Sequence, residues 1–562
     1  MTRDAVAPPA AAVADADLEK VVGRGAALLT LSKFWFLASG FVIQSALQSI
    51  MARGVTEDEG KGLYGLYAVA TSFAGIFNAV VYQGTTQAVA TFTGRDPSRA
   101  TAVRRAAFRL QATFAGALFL LLFFGAPIIA DVWHKNPNVG APLRIASVIF
   151  LAYAFYAVPM GSFTGRRLYV RQAAVDLTYS TLKVALIAGF ALFAGGLFGG
   201  KPEAGVAGFA AASLCVLGMS LAMTRKPGPI DDAPDVAAGK PPIRAADLFR
   251  FQILTMLFSG GVAFITLGDL QLVNLLFDRP ELSAAAVAEL KERLSGEYQA
   301  ARLFSAIPYQ AVFAITFVIF PLVSGLAAGE TEKLRLYVRR VTKYALIIAT
   351  MIATCFAAAP GRAITLLYRP EYEAGAAPAL RILVLGYVAF SVFFIMLSVV
   401  TASGRPQASV LLVGLIVAVQ APLAALLIGR DAQVPAAVAT AAAMVVGWIA
   451  MQVYHRRRWG AGLDLGVAAR TLVAGALAGA IPHLLLDRAT FLGRPGFLAH
   501  VGYSMNANGV LAPTLVAKGL TVAIFAVASA AFLALLAAFG VLDADDRARF
   551  ARLIGRGKKP SA

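Results

Sequence analysis

The sequence is poor in cysteine, histidine and charged residues. Its 562 residues include two cysteines, four histidines and 14% charged residues, whereas a soluble domain carries roughly 25% charged residues. Cys215 and Cys355 both lie in apolar stretches, so they provide no disulfide framework. The histidines show no spacing typical of metal ligands. We therefore expect no metal site and no cofactor, and a soluble secreted protein is excluded.

Long apolar runs, in contrast, are abundant. Hydrophobic residues make up 59% of the chain, and the mean hydropathy is +0.71. Many runs reach the about 20 residues that a helix needs to cross a bilayer. The predicted fold class is an all-α polytopic membrane protein with about 14 transmembrane helices. The predicted spans cover residues 26–50, 63–90, 107–130, 143–162, 172–195, 204–223, 249–276, 300–327, 342–359, 379–401, 407–428, 433–453, 468–487 and 517–540.

The net charge of +19 suggests a nucleic-acid partner until the charges are placed on the predicted topology. With the N-terminus inside, most Lys and Arg residues fall in cytoplasmic loops and tails, as the positive-inside rule requires. The basic charge therefore reflects topology, and no nucleic-acid partner is expected. The cytoplasmic side receives the clusters Arg104-Arg105, Arg166-Arg167, Arg339-Arg340 and Arg456-Arg457-Arg458.

Short motifs occur twice in the same order. Gly62-Leu63-Tyr64 recurs as Gly296-Glu297-Tyr298, and Gly165-Arg166 recurs as Gly404-Arg405. Two similar halves in a membrane protein are typical of transporters whose substrate lies between the halves. We predict two pseudo-symmetric six-helix lobes plus a C-terminal helix pair. The predicted parts are a cytoplasmic tail (1–25), an N-lobe (26–223), a Pro- and Gly-rich cytoplasmic linker (224–248), a C-lobe (249–453), the helix pair (454–541) and a basic cytoplasmic tail (542–562).

Glycines recur in the middle of the first span of each half. Gly40 in the first span corresponds to Gly260 and Gly261 in the seventh. Glycine removes the Cβ and loosens a helix, so these positions are either close packing points or hinges that let each half flex. The loop before the eighth span is longer than its counterpart, and we expect its residues Val287–Leu294 to form a short amphipathic helix at the membrane interface.

Basic residues outnumber acidic ones within the predicted spans. Those within or near spans are Lys33, Arg109, Arg144, Lys183, Arg302, Arg381 and Lys518, against only Asp176 and Asp269 well inside. A charge near mid-bilayer costs several kcal/mol, so it faces a cavity or a partner. The excess of positive charge favours an anionic substrate such as a diphosphate. For residues near span ends, side chains that reach the interface are the competing interpretation.

Polar residues also follow helical spacing on several spans, among them Gln44 on the first and Asn78 on the second. Such stripes are either interhelical hydrogen-bond seams or the lining of a cavity. The cavity candidates for substrate binding are Lys33, Gln44, Asn78, Arg109, Lys183 and Arg302. Asp176 and Asp269 are candidates for coupling transport to H⁺ or Na⁺. Asp269 could equally be a static partner of Lys33 or Lys183.

The motifs resemble those of the polysaccharide transporter and oligosaccharide flippase family, in the multidrug/oligosaccharidyl-lipid/polysaccharide (MOP) exporter superfamily. The resemblance covers roughly residues 25–455 and rests on degenerate Gly, Tyr and Pro placements. It is carried by the stretches Arg53–Ala70, Ser295–Ala301 and Ile319–Ser324, and by Thr164-Gly165-Arg166 and Ser403-Gly404-Arg405.

The resemblance implies two six-helix lobes around a central cationic cavity. It implies that an undecaprenyl-diphosphate-linked oligosaccharide moves by alternating access from the cytoplasmic to the periplasmic leaflet of the inner membrane, for surface polysaccharides such as O-antigen and lipopolysaccharide. A polysaccharide polymerase and membrane lipids are implied partners. Related lipid II flippases use two C-terminal helices as a groove for the lipid tail, and they carry basic residues on the first span, where Lys33 is the nearest match.

Three other functions stay open at this point. A lipid II flippase is a near neighbour, and a multidrug cation antiporter of the same superfamily should have more acidic cavity groups than this chain has. A polytopic lipid-dependent glycosyltransferase is the alternative from another class. Glu57-Asp58-Glu59 in the first outer loop would serve such an enzyme, although three consecutive carboxylates are usually a solvated turn. We expect a transporter and not an enzyme.

Overall fold

The computed structural model describes residues 10–225, 244–313, 331–460, 462–487, 497–498, 501–505 and 511–542. Within them, 13 helices are long and apolar enough to cross a membrane. The predicted all-α polytopic fold is thereby confirmed. The predicted eighth span, residues 300–327, extends beyond the described residues, as do most of the predicted linker and the basic C-terminal tail.

The described residues of the first half of the chain form eight α-helices. They are α1 Ala10–Met51, α2 Glu57–Arg95, α3 Ala100–Leu110, α4 Gly116–Ile128, α5 Gly140–Gly165, α6 Tyr169–Phe193, α7 Gly195–Phe198 and α8 Lys201–Arg225. The π-helical turn Gln111–Ala115 joins α3 to α4, and a second π turn, Ile129–His134, follows α4. Helix α1 begins in the segment that the sequence predicts as a polar tail, and its candidate span starts at Leu31.

The second half contributes nine helices within the described residues. They are α9 Ala245–Leu276, α10 Ala284–Ser305, α11 Thr331–Ala358, α12 Pro360–Thr365, α13 Glu373–Ala402, α14 Pro406–Leu427, α15 Gln433–Trp459, α16 Leu465–Leu486 and α17 Leu515–Ala538. A small antiparallel hairpin, β1 Tyr503–Met505 and β2 Leu511–Pro513, precedes α17, with Tyr503 opposite Pro513.

Capping residues explain several helix boundaries. Ser283 accepts a hydrogen bond from the Ala286 amide at the start of α10 (3.3 Å), and Asp464 accepts one from the Gly466 amide at the start of α16 (2.7 Å). Such side chains satisfy amides that lack an intrahelical partner. Gly460 ends α15 in the left-handed conformation (φ 60°), which glycine adopts without steric cost.

The chain divides into two compact units, and two of the boundaries between them fall inside helices. The first unit contains the described residues up to Val55 together with Leu66–Ala263, and the second contains Thr56–Gly65 and the described residues from Phe264 onward. The first turns of α2 therefore belong to the second unit, and most of α9 belongs to the first. The predicted division into lobes and a helix pair stays a prediction.

In the first unit, α6 packs between α1 and α8. Aromatic and aliphatic side chains of α5, α6 and α8 fill this region, including Tyr156, Phe163 and Tyr179. In the second unit, α13 is the central helix and packs against α10, α11 and α15. Helix α16 packs on α11, and α17 packs on α16. Each unit thus surrounds its buried polar groups with several helices.

The expectation of a separate interface helix over Val287–Leu294 is wrong. These residues form the first turns of the continuous helix α10. Lys291 in this stretch is fully buried, and its Nζ donates a hydrogen bond to the backbone oxygen of Asn274 (2.8 Å). The charged pattern reflects internal hydrogen bonding, because an ammonium withdrawn from water must be satisfied by protein groups.

Candidate functional site

Lys33 and Asp176, two of the predicted site residues, form an ion pair in the first unit. The Nζ atom of Lys33 on α1 lies 2.7 Å from Oδ2 of Asp176 on α6, and the side chains are 34% and 6% exposed. Next to this pair, Trp35 donates a hydrogen bond to Thr181 Oγ1 (3.2 Å). Because Asp176 is nearly buried, its charge depends on the ammonium for compensation. The ammonium itself remains partly accessible.

Lys183 lies two turns further along α6 in an aromatic environment. Its ammonium sits 4.8 Å from the ring centre of Phe209 and 5.7 Å from that of Phe36. Among the described residues, no carboxylate lies within ion-pair distance of it. The ring faces provide only part of the stabilisation that a counter-ion would supply. The three charged groups Lys33, Asp176 and Lys183 therefore sum to one net positive charge.

Tyrosines pack close to these charges. The hydroxyls of Tyr153 and Tyr179 are hydrogen-bonded to each other, and the rings of Tyr82 and Tyr156 stack at 5.7 Å. This gives the first unit an interior that is aromatic, partly polar and positively charged. Such an interior suits an anionic ligand that also carries apolar or sugar surface.

Arg302 and Asp269 meet in the second unit. Arg302 Nη1 lies 3.4 Å from Asp269 Oδ1 and donates to the Leu267 carbonyl (3.1 Å), while Nη2 donates to Gln299 Oε1 (2.5 Å). Asp269 also accepts hydrogen bonds from the Tyr298 hydroxyl (2.9 Å) and its neighbouring backbone amide, that of Leu270 (2.8 Å). Both side chains are almost fully buried. The partner of Asp269 is therefore Arg302, and neither Lys33 nor Lys183.

The remaining predicted residues are not joined to these pairs. Gln44 is half-buried on α1, whereas Arg109 is exposed on α3. The side-chain oxygen of Asn78 is buried and has no hydrogen-bond partner in the described part of the chain. Gly40 and the Gly260-Gly261 pair lie within continuous helices, α1 and α9.

A second charged network was missed at the sequence level. Lys61, in the first turns of α2, lies 3.1 Å from Glu297 Oε1 on α10 and 2.9 Å from Asp58 Oδ1. Arg293 pairs with the other oxygen of Asp58 (3.0 Å), and Gln433 donates to Glu297 Oε2 (2.9 Å). The network ties α2, α10 and α15 together within the second unit. The tyrosine hydroxyls of Tyr64 and Tyr368 lie 2.6 Å apart beside it.

Gly296 of one copy of the repeated motif, and Gly65 directly after the other copy, let these helices touch. A Cβ added at Gly65 would overlap the backbone oxygen of Glu292, and one added at Gly296 would overlap the backbone oxygen of Lys61. Only glycine permits this approach of two backbones. Gly296 of one motif copy thus contacts Lys61 and Gly65, the residues on either side of the other copy. A signal for the network was present: Lys61 precedes one copy of the motif, and Glu297 occupies the middle of the other.

Comparisons with known proteins agree with this architecture. Residues 50–226 match a family described as "Polysaccharide biosynthesis protein". No curated protein matches the sequence. A solved structure of the lipid II flippase MurJ in an inward closed conformation is 11% identical, with a TM-score of 0.65, and the match covers 94% of this chain and 100% of that one.

Multidrug transporters are similar over a smaller part of the chain. An inward-facing multidrug resistance MATE family transporter of the MOP superfamily is 18% identical with a TM-score of 0.53, covering 76% of this chain and 94% of that one. A MOP superfamily transporter from Pyrococcus furiosus is 15% identical with a TM-score of 0.51, and the match covers 78% of this chain and 96% of that one. At such identities the likeness shows the fold.

The chain is accordingly a polytopic membrane protein with the fold of the MOP superfamily of transporters. Its residues 50–226 match the family described as "Polysaccharide biosynthesis protein". The resemblance that the sequence analysis describes is confirmed. The roles of the individual site residues stay predictions.

Proposed function

We propose that the protein is a flippase for a lipid-linked oligosaccharide, carried on undecaprenyl diphosphate, and that it acts by alternating access during export of a surface polysaccharide. The observation that carries this proposal is the net positive charge of the Lys33, Asp176 and Lys183 group. A diphosphate would supply the counter-charge that the described residues around Lys183 do not provide. The tyrosines nearby suit stacking against sugar rings.

The sequence match of residues 50–226 to a polysaccharide biosynthesis family supports a glycan-related substrate. Transport without covalent change is proposed, so the protein would not be an enzyme. Asp176 and Asp269 are proposed coupling groups for H⁺ or Na⁺, and Gly40, Gly260 and Gly261 are proposed hinges. The proposed location is the inner membrane with both termini cytoplasmic, and a polysaccharide polymerase is a proposed partner.

A lipid II flippase is the second candidate. The match to a lipid II flippase structure extends over 94% of this chain, whereas the multidrug transporters cover 76–78%. The longer match includes helices beyond the two six-helix halves, and these agree better with a lipid-linked substrate than with a soluble drug. A multidrug cation antiporter is disfavoured because the first unit's charged group is net positive, which repels cations.

The direct test is reconstitution in proteoliposomes with fluorescent undecaprenyl-diphosphate oligosaccharide and, separately, fluorescent lipid II. Transfer between leaflets is followed by the access of a membrane-impermeant quencher. Mass spectrometry of the recovered lipid checks that it is chemically unchanged, since a glycosyltransferase would alter it covalently. Transfer of lipid II alone would favour the second candidate, and failure to move either lipid would contradict both.

Replacing Lys183 with glutamine is expected to lower transfer of the diphosphate-linked lipid by roughly tenfold or more, because a charge-assisted hydrogen bond contributes about 1.5–3 kcal/mol. Lys183→Arg should retain most of the transfer. Arg105→Gln, which removes an exposed positive charge from the same unit and is not a candidate site residue, is the matched control and should leave transfer unchanged. Equal rates for Lys183→Gln and Arg105→Gln would remove Lys183 from the substrate site.

Replacing Gly40 with alanine distinguishes between two roles of this glycine, a hinge in α1 and a point of close helix packing. No atom lies within 4 Å of a Cβ added at Gly40, so the variant should be as stable as the parent, or more stable by up to about 1 kcal/mol. A hinge predicts that transfer nevertheless slows, because the helix bends less readily. Thermal unfolding in detergent and the proteoliposome assay give the two readouts. Undiminished transfer would show that Gly40 is not a hinge.

A further inference from the structure

An apolar groove with a basic end lies on the second unit, and its lining includes none of the charged residues described above. Its volume is about 640 Å³, and it is lined by α11, α13, α15 and α16. Ligand sites in proteins span roughly 300–1,000 Å³, so the groove has the capacity for a ligand. Several lining side chains are exposed, including Leu385 (57%) and Leu472 (48%). The groove is therefore open along its side.

The lining is mostly aliphatic along its length, with the hydroxyl-bearing Thr350 and Thr354 among its members. Leu346, Ala353, Val392 and Ala476 are representative, with Trp448 as the aromatic member. From Leu472 to His483 the groove follows eleven residues of α16, or about 16 Å at 1.5 Å per residue. A surface of this kind binds a hydrocarbon chain through burial of apolar area, and it provides few partners for a polar ligand.

The charged and titratable groups of the lining are at one end. Arg381 on α13 and His483 on α16 line the groove there, and Asp487 lies behind them. Arg381 Nη2 lies 2.5 Å from Asp487 Oδ2, and His483 Nδ1 lies 3.0 Å from the same oxygen. Arg381 Nε also donates to the Ala357 carbonyl (3.0 Å). These contacts hold the guanidinium in a fixed orientation.

The accessible part of this end is basic. Arg381 is 39% exposed, whereas the carboxylate that orients it is 6% exposed. Asp487 follows directly after the end of α16 at Leu486, and the end of a membrane helix is the level at which lipid headgroups lie. A guanidinium at this level is well suited to a phosphate, which it can contact through two parallel N–H groups.

We propose that this groove binds one membrane phospholipid, with an acyl chain along α16 and the headgroup phosphate on Arg381, beside His483. The site is distinct from a groove between the last two membrane helices, because α17 contributes none of its described residues to the lining. It is also independent of the transported substrate. Asp487 acts as a positioning residue, since it contacts Arg381 and His483 from behind.

Native mass spectrometry of the full chain in a neutral detergent tests the proposal. The purified protein is titrated with dipalmitoyl phosphatidylglycerol, with dipalmitoylglycerol, which lacks the phosphate, and with glycerol 3-phosphate, which lacks the chains. We expect saturable binding of one phosphatidylglycerol, at least about fivefold weaker binding of dipalmitoylglycerol, and no binding of glycerol 3-phosphate. Equal affinity for the two lipids, or binding of glycerol 3-phosphate alone, would overturn the proposal.

Two variants locate the ligand. Arg381→Gln should weaken phosphatidylglycerol binding at least about fivefold and leave dipalmitoylglycerol binding unchanged. Arg430→Gln, at an exposed loop position, is its control and should have no effect. Ala476→Phe fills the groove and should weaken the binding of both phosphatidylglycerol and dipalmitoylglycerol. Its control is Leu477→Phe at the adjacent position, which is exposed but lies outside the groove.

If Arg381→Gln does not fold, Ala476→Phe decides the question, because Ala476 is exposed and its substitution breaks no ion pair. Unchanged lipid binding in Ala476→Phe would place the lipid elsewhere and overturn the proposal. The same titration with undecaprenyl diphosphate tests another occupant. Saturable binding of that lipid combined with no binding of phosphatidylglycerol would also contradict the phospholipid assignment.

Discussion

Replacing Arg302 with methionine is expected to destabilise the protein by about 3–5 kcal/mol, since it leaves a buried carboxylate without its counter-charge. Asp269 is 1% exposed, so water cannot compensate for the lost guanidinium. The Leu267 carbonyl and the Gln299 amide oxygen would each lose a donor as well. The loss can be measured as a lower midpoint in thermal or denaturant unfolding of the purified protein in detergent.

A second substitution tests whether the loss of stability comes from the unpaired carboxylate of Asp269. Asp269→Asn in the Arg302→Met background should recover a large part of the loss, because a neutral amide costs less to bury than an unpaired carboxylate. Arg109→Met removes an exposed arginine and should change stability by no more than about 0.5 kcal/mol. If Arg302→Met is as stable as Arg109→Met, the buried pair does not stabilise the second unit.

Substituting Gly296 with alanine is the other change with a large expected effect. The new methyl group would overlap the backbone oxygen of Lys61, and a backbone atom cannot move aside by changing rotamer. Overpacking of a well-packed contact costs about 1–3 kcal/mol and sometimes more. We expect α2 and α10 to separate at this point and the Lys61–Glu297 ion pair, at 3.1 Å, to break with them.

Gly414→Ala is the matched control for Gly296→Ala. Gly414 lies within helix α14, and no atom lies within 4 Å of a Cβ added there. This variant should be neutral or up to about 1 kcal/mol more stable, because alanine favours the helix. Thermal unfolding and the monodispersity of both variants in detergent give the comparison. Equal stability of the two variants would show that the close approach at Gly296 is not required.

The membrane-spanning helices were predictable because their signal is local. Twenty apolar residues in succession identify a span regardless of what surrounds it, and every predicted span except the eighth coincides with one of the 13 apolar helices found among the described residues. Val287–Leu294 shows where this approach fails. Its charged residues suggested an interface position, yet α10 runs through the segment and buries Lys291. The positions of charged residues in the sequence do not reveal whether protein groups or water molecules form hydrogen bonds with their side chains.

The candidate site was predictable in part. The sequence identified Lys33, Asp176 and Asp269 as charges that need a partner or a cavity in the membrane, since an unpaired charge there is costly. For Arg302, near a span end, it left open whether the side chain lines a cavity or reaches the interface. It left their pairing open, and the partner of Asp269 proved to be a residue of the next helix, Arg302. Lys61 was overlooked because it stands at a helix start, where a lysine ordinarily reaches water.

By itself, the sequence determined the all-α membrane class, the approximate spans and the duplication, since apolar length and repeated Gly and Tyr positions can be read along one chain. The tertiary structure alone decided which charges neutralise each other and which glycines allow two helices to touch. Ion pairs and backbone contacts act over only about 4 Å. Residues as distant in sequence as Lys61 and Glu297 reach that distance only when helices pack.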